Sequence, residues 1–229
     1  MRTAFRVSFR VALALMTMPV ASTFAGTGTK SEVLYQTSLD IDRDGKPDKA
    51  ALVLVGPGRT DFHELTRDRY GLGQDERVDL YIYLGKGGEN ADLRQRPDFI
   101  RQRIADPERV SWVQPLEVSK SGSLRISAAH QWGSSHDWTE ILTVVYRNGE
   151  PVVAGFTMGW YWNSLLADDT FETLEGACDV NFLTGKGTLT KDEGKPKPIK
   201  GVFKPVKLAD WTSAKIPPAC DSWQSRDDD

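Results

Sequence analysis

The chain has 229 residues and a formal net charge of −3, from 29 Lys and Arg against 32 Asp and Glu. A hydrophobic content of 39% allows a packed core and excludes disorder over the whole length. The acidic balance argues against a nucleic-acid binder. Two Cys exclude a disulfide-dense scaffold and a four-Cys zinc module.

Residues 1–25 have the layout of a secretory signal peptide. Arg2, Arg6 and Arg10 form a basic start, Val11 to Val20 is mostly apolar, and Thr23 and Ala25 are small residues before a cut at Gly26. The apolar run is too short for a membrane span. No Arg-Arg pair and no Cys after the cut point to Sec export without a lipid anchor. Cleavage removes three Arg and no acid, which leaves a mature charge of −6. The expected location is the periplasm, with no membrane anchor after cleavage.

Alternation and β-branched content predict strands over Glu32–Ser38, Lys49–Val55 and Val78–Leu84. Between the first two lies Asp40-Ile41-Asp42-Arg43-Asp44-Gly45-Lys46-Pro47-Asp48, which reads D-x-D-x-D-G-x-x-D. Carboxylates at alternate positions converge when the chain curls, and Gly45 permits the sharp turn. The expected ligands are Asp40, Asp42, Asp44, the Lys46 carbonyl and Asp48. All are oxygen donors, which suits Ca²⁺. The twelfth position is Ala51 and not Glu, and KAALVLV favours a strand over a helix. An EF-hand sensor is therefore not expected.

Beyond Val78–Leu84, a helix is considered only at Asp92–Ala105, interrupted by Pro97. Residues 56–77 and 191–200 read as polar loops, the second mobile. Hairpins are predicted around Lys120-Ser121-Gly122-Ser123, between Leu116–Ser119 and Leu124–Ala128, and around Asn148-Gly149, between Glu140–Tyr146 and Val152–Trp162. A third is predicted around Thr184–Gly187, between Val180–Leu183 and Thr188–Thr190. The expected fold is one all-β domain over residues 30–222, propeller-like or sandwich-like, followed by an acidic tail at 223–229. In an oxidising compartment Cys178 and Cys220 are expected to pair, with two free thiols as the alternative.

The order of the Asp loop with its strand, the aromatic strand VDLYIYLGKGG, the segment SGSLRISAAHQWGSSHDW and the two hairpins that follow carries a family resemblance. It resembles secreted bacterial domains with an FG-GAP-like calcium loop. It is similar to periplasmic immunity proteins that neutralise peptidoglycan hydrolases and, more remotely, to I-type lysozyme inhibitors. The resemblance spans about residues 32–190, and its specific part is the Asp loop. It implies a structural Ca²⁺ and a rigid domain that performs no chemistry but plugs the cleft of a secreted cell-wall hydrolase. The expected contacts are Ser121, Gly122 and Ser123, with Trp132 and His136. The same Ser-Gly-Ser segment is also an ordinary hairpin turn.

Two other functions compete. A carbohydrate-binding module would use Trp160, Tyr161 and Trp162, with Trp132 and Trp138, as a stacking platform, Tyr161 facing the opposite side of the strand from Trp160 and Trp162, although aromatic packing is the commoner use. A hydrolase would use the stretch from His130 to Glu140, read as a loop, with Ser134, Ser135, His136 and Asp137. That stretch lacks a zinc spacing and a G-x-S-x-G elbow, and neighbours in sequence rarely point at one another.

Overall fold

The computed structural model describes residues 29–57, 72, 75–87, 90–105, 110–132, 136–165, 171–192 and 194–221. At 131, 132, 136, 164, 165, 171 and 172 it describes the backbone only. The expected signal peptide 1–25, most of the expected loop 56–77 and the tail 223–229 lie outside the described residues.

The fold is all-β, built from two antiparallel sheets. The first is a four-stranded meander of β1 (Lys30–Leu39), β2 (Asp48–Gly56), β3 (Arg77–Tyr83) and β4 (Phe99–Ala105). The second carries β5 (Trp112–Val113), β6 (Glu117–Val118), β7 (Leu124–Trp132), β8 (His136–Arg147), β9 (Glu150–Leu165), β10 (Phe171–Asn181), β11 (Lys186–Lys191), β12 (Lys197–Pro198) and β13 (Val206–Lys207). Its path runs β12-β11-β10-β9-β8-β7-β5, with β6 beside β7 and β13 beside β9.

The two sheets share one core, so the arrangement is a sandwich. Leu52, Leu80 and Ile82 of the first sheet join Leu124, Phe156, Met158 and Val180 of the second. The rings of Phe99 and Tyr146 meet edge to face across the sheets, 5.9 Å apart. The unbroken apolar run of β2 follows from burial on both faces. Ala50, Leu52 and Leu54 enter the shared core, while Ala51, Val53 and Val55 form a smaller cluster with Val33, Tyr81, Ala91 and Leu93.

The Asn148-Gly149 hairpin forms as predicted, with Arg147 opposite Glu150. Asn148 and Gly149 have φ of 54° and 84°, the pair of positive angles that a two-residue hairpin turn requires. The hairpin closing β6 onto β7 also forms, with Val118 opposite Leu124.

Four expectations are corrected. Phe99–Ala105 is strand β4 and not helix. Phe99 and Ile100 pair with Ile82 and Tyr81, and a bulge lets the Arg103 N–H reach buried Asp79 Oδ1 at 2.9 Å. The strand before the third hairpin is Phe171–Asn181, longer and earlier than Val180–Leu183. Its outward Glu175 and Asp179 and its Gly176 hide the alternation. Gly176 is required because any Cβ there would lie 2.2 Å from Trp160 Cζ2. That hairpin turns at 182–185, two residues before the predicted turn, since Asn181 pairs with Lys186. Within 191–200, Lys197–Pro198 pairs with β11, and the Ile199 N–H donates to the Gly187 carbonyl at 2.9 Å.

The C-terminal segment folds back on the second sheet. Short turns at Leu208–Asp210 and Ser213–Lys215 lead to α1 (Pro218–Asp221). Trp211 is buried against the rings of Phe156 and Phe182. Cys220 is bonded to Cys178 of β10, so the expected disulfide is present, with a Cα–Cα distance of 5.3 Å. Among the described residues no helix is long and apolar enough to cross a membrane.

Candidate functional site

The Asp-rich loop joins β1 to β2. Positive φ at Arg43 (64°) and Gly45 (84°) curls the backbone inward. The loop's own N–H groups then hold its carboxylates. Asp40 Oδ2 accepts from the Gly45 N–H and Asp42 Oδ1 from the Asp44 N–H, each at 3.1 Å. Asp48, the first residue of β2, is fully buried. Its Oδ2 accepts from the Ile41 N–H and its Oδ1 from the Gly85 N–H, both at 2.8 Å.

One carboxylate oxygen from each of Asp40, Asp42 and Asp48 lies within 4.8 Å of the others. Among the described residues no Lys or Arg forms an ion pair with any of these three. Three like charges at this spacing repel one another, and a divalent cation would remove the repulsion. The donor set is oxygen only, the chemistry of a hard cation. The triad can therefore hold a metal ion.

The Asp44 carboxylate does not join this group. The Asp44 carboxylate turns to Lys46, whose N–H donates to Oδ1 at 2.8 Å and whose ammonium lies 3.4 Å from Oδ2. These contacts, the backbone hydrogen bond first, hold the Asp44 carboxyl below the usual carboxylate range.

The sequence marks a turn from Gly85 after β3, but not that this turn braces the Asp loop. After β3, Gly85 supplies the N–H that binds Asp48, at a φ of 66°. Gly87 packs so closely that a Cβ would lie 2.5 Å from the Asp48 carbonyl oxygen. Its N–H donates to the Pro47 carbonyl at 2.7 Å, and its own carbonyl accepts from the Ser38 hydroxyl. The glycines of LGKGG were the available signal, but nothing in their spacing says what they approach.

The turn at Ser119–Ser123 lies against the Asp loop. Arg43 Nη2 donates to the Ser121 carbonyl at 3.3 Å, and a Cβ on Gly122 would lie 4.0 Å from the Asp40 carbonyl oxygen. The turn is tied by its own hydroxyls. Ser119 Oγ is 2.9 Å from Ser121 Oγ, which is 3.2 Å from Ser123 Oγ. Ser119 Oγ also accepts from the Ser123 N–H at 3.0 Å. Nearby, the Tyr146 hydroxyl is pushed up in pKa, first by burial and then by the negative charge of Asp42, Asp48 and Asp98.

Within the stretch from His130 to Glu140, the described residues 130–132 and 136–140 are strand, and 133–135 lie outside the described residues. β7 runs through Trp132 and β8 starts at His136, and these strand segments pair with each other. His130 stacks on Trp138, its pair across the strands, with ring centroids 3.9 Å apart. His130 Nδ1 is 3.2 Å from Ser111 Oγ. Strand alternation puts His130, Trp138 and Glu140 on the core-facing side and Asp137 on the other. His130 and Glu140 thus lie on the face opposite Asp137. Trp138 is buried and Trp160 half-buried on the core-facing side. Ser134 and Ser135, and the side chains of Trp132 and His136, lie outside the described residues.

No family model, curated protein or solved structure matches the chain.

Proposed function

We propose that this chain is a periplasmic binding module, clamped by Ca²⁺, that blocks a peptidoglycan-degrading enzyme. The observation that carries the reading is the meeting of two sequence motifs that lie far apart in the chain. Arg43 of the Asp loop grips Ser121 of the serine turn. A cation on Asp40, Asp42 and Asp48 would stiffen the loop, and Asp44 would swing from Lys46 to complete the oxygen shell. The Lys46 carbonyl would follow the same curl. The stiffened loop would hold the turn in a fixed pose, and a preordered turn loses less entropy on entering a cleft.

Several features support this reading. The serine turn carries three hydroxyls in a chain of two hydrogen bonds, Ser119 to Ser121 to Ser123, and hydroxyls are donors that a catalytic carboxylate can accept from. The Cys178–Cys220 bridge fits an oxidising compartment, in line with the signal peptide. The mature charge of −6 favours encounter with a basic enzyme. The sequence resemblance of the Asp loop and the segments after it to FG-GAP-like immunity proteins favours the same reading.

The test is titration of purified secreted muramidases and cell-wall amidases with the mature chain. Residual activity falls linearly and reaches its floor at one equivalent for the true target. Ser121→Tyr, which leaves the melting temperature intact, relieves the inhibition. A panel that neither binds nor loses activity would overturn the proposal.

A further inference from the structure

The outer face of the second sheet carries an open groove of about 490 Å³ across β8, β9, β10 and β11. It lies toward the β7–β8 hairpin end. The serine turn is at the other end of β7, roughly 20 Å away along the strands. The groove is therefore separate from the site described above.

Its walls have a one-sided chemistry. Asp137, Tyr161 and Glu175 stand side by side in register on adjacent strands, and Asp192 closes the row through its N–H to the Glu175 carbonyl at 2.6 Å. Among the described residues none that lines it is cationic. Tyr161 is 41% exposed, the exposed aromatic ring among the described large apolar side chains. Asp137 Oδ1 is closed off from solvent and makes no hydrogen bond among the described residues.

The floor points to a ligand independently. Gly159 lies in the interior of β9, where a glycine weakens a strand. A Cβ there would meet nothing nearer than the Gly176 carbonyl oxygen at 3.9 Å. Neither packing nor a positive φ calls for glycine at 159. What its missing side chain does is keep the groove open beside Tyr161.

We infer that this groove binds a lysine or arginine side chain of a protein partner, with the alkyl stem over Gly159 and the charge between Asp137 and Glu175 beside the Tyr161 ring. Carboxylates only accept hydrogen bonds, and ammonium and guanidinium groups only donate them. A glycan would also need donors from the protein, and the outward-facing side chains described in the groove offer three hydroxyls, those of Thr139, Thr190 and Tyr161. The aromatic ring adds a cation–π contact.

The experiment is calorimetric titration of the full mature chain with tetra-lysine, its fully Nε-acetylated form and chitotetraose. Tetra-lysine binds, and acetylation abolishes the binding. Gly159→Val fills the floor with a strand-favouring residue, so the melting temperature holds or rises while affinity falls at least about tenfold. Glu175→Gln weakens binding with the fold intact. Absence of tetra-lysine binding overturns the inference. So does binding that Gly159→Val leaves unchanged, because the peptide then sits elsewhere on an acidic surface. Binding of chitotetraose in place of tetra-lysine would assign the groove to glycans and overturn it as well.

Discussion

Arg43 and Ser121 are 78 residues apart in sequence, and the guanidinium of one donates to the carbonyl of the other at 3.3 Å. The contact links a loop of the first sheet to a turn of the second. It makes the pose of the serine turn dependent on the state of the Asp loop. Arg43→Ala is at an exposed position, so stability should change by no more than about 0.5 kcal/mol. In the native chain, Ca²⁺ should shift the amide resonances of Ser121 and Gly122. In Arg43→Ala those shifts should shrink while the shifts of Gly45 persist. Equal shifts in both proteins would show that the two elements are not coupled through Arg43.

Asp48 is the pivot of the Asp loop. It is fully buried and accepts two main-chain N–H groups, from Ile41 and Gly85. Asp48→Asn replaces one acceptor with a donor that faces an N–H, at a cost of about 2 kcal/mol or more. The native chain should gain about 2.7 kcal/mol when Ca²⁺ is at a hundred times its dissociation constant. Chelation should remove that gain, and Asp48→Asn should abolish it. Thermal melts with Ca²⁺ and with EGTA check both statements.

Much of this was legible because local chemistry agreed with the final environment. β2 reads as a buried strand and is covered on both faces. Asn148-Gly149 reads as a hairpin turn because its backbone angles have few other solutions. β4 was misread because FIRQRIA puts three polar residues at Arg101, Gln102 and Arg103. It is held as a strand by pairing with β3 and by Asp79, which no local pattern announces. β10 was truncated because its acids face the groove side and its Gly176 answers to Trp160, a residue sixteen positions earlier. The Asp triad was visible as a motif. The Gly85 and Gly87 brace and the Arg43 link are tertiary and left no spacing to read.

Gly87 and Gly149 separate close packing from backbone freedom. A Cβ at 87 would overlap the Pro47–Asp48 backbone at 2.5–2.6 Å. Gly87→Ala must therefore displace β2's entry, at about 1–3 kcal/mol, and should weaken Ca²⁺ binding together with stability. Gly149 has open space and a φ of 84°. Gly149→Ala should cost about 1–2 kcal/mol from the left-handed backbone alone and leave Ca²⁺ binding unchanged. Urea melts and Ca²⁺ titrations of the two variants check the contrast.

The disulfide fastens the C-terminal turn segment to β10. Replacing Cys178 and Cys220 together with Ser should lower stability by about 2–5 kcal/mol. Trp211 sits between Phe156 and Phe182 in the segment that the bridge holds. The near-ultraviolet circular dichroism of the tryptophans should therefore weaken before the β-sheet signal is lost in urea. Coincident loss of both signals would show that the segment stays docked without the bridge.

His130 sets a pH dependence. Burial against Trp138 lowers its pKa, and the charge of Asp137 opposes the shift only in part. An imidazole with a native pKa below its unfolded value of about 6.5 binds fewer protons when folded. Its contribution to stability is whole above pH 6.5 or so and is lost as the pH falls through the native pKa. Below that value both states are protonated and the loss is constant. The urea midpoint of the native chain should therefore drop between pH 7.5 and 5, and His130→Gln should flatten that part of the drop. Nuclear magnetic resonance titration should place the His130 midpoint below 6.5. A midpoint at or above that value would mean that the stacked ring accepts its charge without cost, and the linkage would vanish.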